Sequence, residues 1–161
     1  MEDSLVRMVF SVYGDKQISR EMLRMSGRSS DARPAFTYLA EVWMQLEEQQ
    51  FQSEGLFASG GWTPLSASRK RQKARLQLDP RILHAEGALR ASLTSKGGKH
   101  YQQVTRDSIS FGSKLRYARV HQKPKISNPL PRRRVVEFRE RDRVRSIKII
   151  QRYLRTGVVA G

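Results

Sequence analysis

Between Gly112 and Phe138 the sequence changes its conformational rules three times. Phe111-Gly112-Ser113 reads as the end of a strand, and it feeds a short helix that carries Tyr117, Ala118 and His121 on adjacent turns. Lys123 to Pro131 follows, with Pro124, Pro129 and Pro131. A proline has no amide hydrogen and a fixed φ, so this loop is neither an interior strand nor an interior helix. Beyond it, Arg132-Arg133-Arg134 leads into Val135-Val136-Glu137-Phe138, which has the composition of a strand. Strand, short helix, proline-rich excursion and basic strand, in that order, predict a surface built to dock on another body.

Charge says what kind of body. The net charge is +16, but residues 1–61 hold 6 Lys/Arg against 9 Asp/Glu, whereas residues 62–161 hold 25 against 6. One part is therefore −3 and the other +19. So polarised a chain is steered toward acidic partners and responds strongly to salt. Duplex DNA is one such partner and an acidic protein ring is another. Charge alone does not separate them.

The rest of the chain supplies a modest core. Leu5 to Tyr13 alternates as a strand should, and Ile18 to Met25 has the composition of a short helix ended by Gly27. Asp31 offers an N-cap to a helix with Pro34 in its first turn, running to about Ser53. Phe36, Leu39, Trp43, Leu46, Gln50 and Phe51 form its core face, with Glu41, Glu47, Glu48 and Gln49 opposite. Gly55 to Gly61 is a loop, and Trp62 after it is expected to cover the edge of the core. Ser66 to Leu76 is basic and helical or ordered on assembly, with Arg69, Lys70, Arg71 and Lys73 as contact candidates.

After Asp79-Pro80, a short helix near Gly87–Ala91 leads toward a strand, and Ser95 to His100 forms a polar tip. Tyr101 to Arg106 and Ser108 to Gly112 make a hairpin about Asp107. Arg139 to Arg155 closes the chain as an amphipathic helix with Val144, Ile147, Ile150 and Leu154 on one face. The reading is α+β: a small, mostly antiparallel sheet packed by a long helix from the first half and a C-terminal helix, with extended loops. It is one domain over residues 1–157, with 158–161 a flexible tail.

No catalytic constellation emerges. With no cysteine, thiolate nucleophiles, thiolate metal sites and disulfides are excluded. His84, His100 and His121 have no metal-ligand spacing, and His121 reads as a satisfied structural histidine. Ser95-Lys96-Gly97-Gly98-Lys99 fails as a phosphate loop, because Leu93 stands where the leading glycine is needed and no Ser/Thr follows Lys99. Acidic residues are too sparse in the basic half for a multi-carboxylate Mg²⁺ site. The expectation is a non-enzyme with no cofactor. No apolar run approaches a membrane span, and the acidic start, Met1-Glu2-Asp3, lacks a signal-peptide pattern.

An ordered set of residues carries a family resemblance from about Gly55 to Leu154. Gly61-Trp62-Thr63-Pro64-Leu65-Ser66, the basic helix through Lys73, Ile82-Leu83 and Gly87-Ala88-Leu89-Arg90-Ala91-Ser92-Leu93 come first. Then come Gly112-Ser113, Tyr117-Ala118, His121-Gln122, the proline loop, Pro131-Arg132, a strand and a last helix. This order resembles the phage virion morphogenesis proteins, including tail-completion types and relatives in the neck of long-tailed phages. The chain departs from that pattern at Lys123-Pro124, where a glycine is expected, and at the arginine triplet, where one arginine is expected.

The resemblance implies a structural virion protein of the neck or tail end, made in the host cytoplasm. It implies a ring, most simply of six copies, that joins tail to head. Its neighbours would be a portal-side adaptor or stopper ring and a tail terminator or tail tube, with possible non-specific contact with genomic DNA and none with a membrane. Arg116, Arg119, Lys123, Lys125, Arg132, Arg133 and Arg134 join the basic helix as interface or DNA-facing candidates. The alternative is a non-specific DNA-binding packaging accessory protein.

Overall fold

A computed structural model describes the backbone of residues 6–11 and residues 30–123 and 130–159. The expected helix at Ile18–Met25 and the position of Lys125 lie outside the described residues. The fold is α+β, with the elements β1 (Val6–Ser11), α1 (Arg33–Gln52), α2 (Ala67–Arg75), α3 (Ala88–Thr94), β2 (His100–Val104), β3 (Ser108–Ser113), α4 (Arg116–Gln122) and α5 (Glu140–Thr156). The strands form a sheet in the order β1-β3-β2. The β2–β3 hairpin turns at Thr105 to Asp107, where the Thr105 hydroxyl accepts from the Ser108 amide at 3.0 Å and donates to the Asp107 carboxylate at 2.7 Å. A short polar side chain thus replaces part of the ladder at the bend.

The described residues fall into two compact units. One comprises those within Met8–Trp43, Gln102–Phe111 and Phe138–Gly161. Its core is centred on Trp43, which is fully buried between Phe111 at 5.9 Å, edge-on, and Phe138 at 5.3 Å. The indole N–H donates to Ser146 Oγ at 3.1 Å, so the polar atom of a buried aromatic is satisfied. Ala35, Phe36, Leu39 and Ala40 of α1 are buried here with Ile150 and Leu154 of α5. Asp31 accepts the Arg33 amide at 3.0 Å and stabilises the first turn of α1 from two residues upstream.

Helix α5 keeps its expected span but only half of its expected face. Asp142, Ser146, Ile150 and Leu154 are buried, while Val144 and Ile147 are exposed. Asp142 is tolerated inside because Arg139 grips both carboxylate oxygens, at 2.5 and 2.9 Å. The ion pair thus sets the inward face as much as the apolar period does.

The other unit gathers the described residues within Met1–Arg7, Met44–Tyr101 and Gly112–Glu137. Here Trp62 is buried, packs edge-on against Phe51 at 5.3 Å and donates its indole N–H to the Arg134 carbonyl at 2.9 Å. Gly55 makes room for it. At φ +89°, a Cβ on Gly55 would lie 2.5 Å from Trp62 Cδ1.

Val135 to Phe138 is not the expected strand. The Gln122 side chain takes the place of a neighbouring strand: its Oε1 accepts the Val135 and Val136 amides at 2.7 and 3.0 Å, and its Nε2 donates to the Val136 carbonyl at 2.9 Å. Backbone groups satisfied in this way need no ladder. Val135 and Val136 are buried all the same.

Candidate functional site

The basic segment folds as α2 because Ser66 accepts the Arg69 amide at 3.3 Å and so caps it. Its charges then divide by helical position. Arg69, Lys70 and Arg71 are exposed. Lys73 is buried, and its ammonium donates to the Asp79 and Arg81 carbonyls at 2.7 and 2.6 Å. Desolvation pulls its pKa below the usual lysine value. Lys73 thus ties α2 to the chain that follows it, whereas its three basic neighbours face solvent.

The arginine triplet divides in the same way. Arg132 is exposed, with Nε donating to the Gln122 carbonyl at 3.2 Å. Arg134 is exposed and paired with Glu137 at 2.5 Å. Arg133 is buried between them, donating from Nε to the Thr63 carbonyl at 3.0 Å and from an Nη to the Pro64 carbonyl at 3.4 Å. Its pKa too is lowered by desolvation. Arg116 and Arg119 of α4 and Lys123 are exposed. Eight of the eleven candidates therefore present charge to solvent, two are internal clamps, and Lys125 lies outside the described residues.

Two adjoining depressions in this same unit carry what sequence reasoning did not single out. The larger, of about 670 Å³, is floored by Leu65, Leu83 and Leu89 and walled by Tyr117, Leu130 and Pro131. The smaller, of about 360 Å³, lies against Leu56, Trp62 and Ile82. Both include Pro64 and Leu65, so together they form a groove. Arg69 lines one part and Lys70 the other. The signal was present as leucines at Leu56, Leu65 and Leu130 in otherwise polar loops, but only tertiary placement shows that they meet.

His121 lines the larger depression edge-on to Tyr117, with ring centroids 6.5 Å apart. Its Nδ1 is buried and has no hydrogen-bond partner among the described residues, contrary to the expected satisfied histidine. Burial, then the charge of Arg133, lowers its pKa, so the neutral ring is favoured. His84 is neutralised in the same direction by burial, with Nε2 3.3 Å from the Phe51 carbonyl. His100 sets Nδ1 2.9 Å from the Ser92 carbonyl. The Ser95–Lys99 tip runs from a helix into a strand, the reverse of the strand-to-helix order of a phosphate loop. Among the described residues no group of three or more His, Asp or Glu could hold a metal ion, and no helix is long and apolar enough to cross a membrane.

The least expected residue is Glu47. Placed opposite the core by its charge, it is fully buried, and neither carboxyl oxygen has a hydrogen-bond partner among the described residues. Desolvation raises its pKa well above the ordinary value, so the buried form is the neutral acid. A folded-state carboxyl that keeps its proton where the unfolded chain loses it gives stability that is full below the ordinary pKa of 4.5 and falls as pH rises above it. The lowered histidine pKa values act on the other side, removing stability as pH drops below 6.5. Glu47→Gln should abolish the alkaline-side loss in urea melts taken across pH. Glu47→Leu should raise stability at neutral pH by about 1–3 kcal/mol, the usual cost of an unsatisfied buried polar group. An unchanged pH slope in Glu47→Gln contradicts the assignment.

A family profile described as the Phage virion morphogenesis family matches residues 14–155. No curated protein and no solved structure matches the chain.

Proposed function

We propose a place in the particle for this chain, which belongs to the phage virion morphogenesis family and so serves in building the virion: a structural subunit of the neck or tail end, in a ring that joins the tail to the head. The family match carries the virion role, and it spans most of the chain. The finer placement is supported by the exposed cations of α2, α4 and the arginine triplet, which share one compact unit. Arg69, Lys70, Arg71, Arg116, Arg119, Lys123, Arg132 and Arg134 all belong to it. A predominantly basic surface of this kind suits addition to a preformed acidic ring, with attraction steering the approach and short-range contacts fixing the register.

The internal clamps serve the same end. Lys73 and Arg133 spend their charges on backbone carbonyls and hold loops 79–81 and 63–64 in place. Loops fixed before docking lose less conformational entropy on binding. The ring is of a few identical subunits, six in the simplest case, each meeting the next through different patches, as closed heterologous rotation requires. Its copy number in purified particles tests this place.

A further inference from the structure

We propose that the groove between α2 and the Leu130–Arg133 segment binds an acidic peptide segment of a neighbouring virion protein, anchored by large apolar side chains. The proposal rests on the virion role above and names the kind of partner that role needs. Leu56 (72% exposed), Tyr117 (44%) and Leu130 (41%) are among the largest exposed apolar side chains described, and all three border the two joined depressions. Isolated exposed leucines are ordinary, but three gathered on one groove mark a binding surface.

Charge identifies the occupant. Arg69 and Lys70 flank the groove, and Lys73 and Arg133 add positive potential from its wall. The opposing acids are Glu86 in the larger depression and Glu54 in the smaller. Glu54 is already committed, accepting the Ile82 amide at 2.5 Å. A ligand of negative charge is favoured along the α2 side.

The apolar floor decides between the two acidic partners. A DNA backbone offers phosphates and sugars, and gains little from covering Leu56, Leu65 and Leu130. A peptide that carries carboxylates and inserts leucine- or phenylalanine-like side chains satisfies both parts. It gains by removing that apolar surface from water. About 670 Å³ accommodates a few such side chains, within the range of ordinary ligand clefts.

The test probes short overlapping peptides, covering every other virion protein of the phage that encodes this chain and the chain itself, with the purified full-length protein. Retained peptides are then titrated by fluorescence anisotropy, alone and in competition with duplex DNA. Leu56→Asp and Leu130→Asp alter exposed groove residues, and Arg145→Glu with Lys148→Glu alters exposed charge on α5 in the other unit. The expected result is retention of acidic peptides bearing large apolar residues. Either groove variant should weaken binding about tenfold or more, and the α5 variant should leave it unchanged. Four results would each overturn the proposal: no retained peptide, retained peptides without apolar residues, retention confined to this chain's own sequence, or loss of DNA binding rather than peptide binding in the groove variants. A chain present in particles that retains no such peptide removes the groove assignment alone. A chain that retains them but is absent from particles removes the neck placement alone.

Discussion

Replacing Trp62 by alanine should cost about 3–5 kcal/mol, the usual range for deleting a fully packed large aromatic. Three independent features depend on this side chain. Its ring packs edge-on against Phe51, its N–H satisfies the Arg134 carbonyl, and Gly55 is left without a Cβ where that ring passes. The residue follows Gly60 and Gly61, both at positive φ, so the loop is shaped to deliver the indole inward. Urea denaturation checks the expectation through a lower midpoint at unchanged slope. Trp62→Phe should recover most of the loss by refilling the site, and the remainder reports the N–H bond, about 1 kcal/mol. A loss below about 1 kcal/mol in Trp62→Ala would show that the indole is not a core element.

The second large effect separates three consecutive arginines. Arg133→Glu should destabilise by about 3–5 kcal/mol, because it leaves an uncompensated buried charge. That carboxylate would face the Thr63 and Pro64 carbonyls, acceptors that now receive the guanidinium. Arg132→Glu with Arg134→Glu should leave folding near wild type. Both side chains are exposed, and the Arg134–Glu137 pair that is lost is of the surface kind, worth about 0–1 kcal/mol. The double variant should instead fail in the particle, with heads and tails accumulating unjoined. Melting curves and plaque counts read the two effects separately. Normal numbers of infectious particles from the double variant would remove Arg132 and Arg134 from the docking surface.

Those arginines also show how far the sequence reached. Elements whose signal is local were legible: the basic helix after Ser66, the hairpin at Asp107 and the long helix from Arg33 all follow from nearby residues. What failed was decided by side-chain partners that composition does not reveal. Val135–Phe138 has strand composition, yet the Val135 and Val136 amides go to Gln122, which no strand propensity encodes. Arg133 and Lys73 look like their basic neighbours until the carbonyls they reach are known.

Glu47 is a different kind of failure. It stands four residues after Trp43, three before Gln50 and four before Phe51, so helical spacing alone puts it on the core face. Its charge argued the other way, and a carboxyl that can neutralise itself escapes that argument. Val144 and Ile147 are the converse, apolar residues left outside while Asp142 turns inward with Arg139. The groove was legible only as scattered leucines, because its walls come from segments far apart in the chain.

Counting this chain in finished particles tests its proposed place in a ring at the head–tail junction most directly. Quantitative mass spectrometry of purified phage, referenced to the portal protein, should find about six copies per particle, the count of a small closed ring. Absence from particles would rule out that place and would leave DNA binding by the basic half as the explanation of its charge.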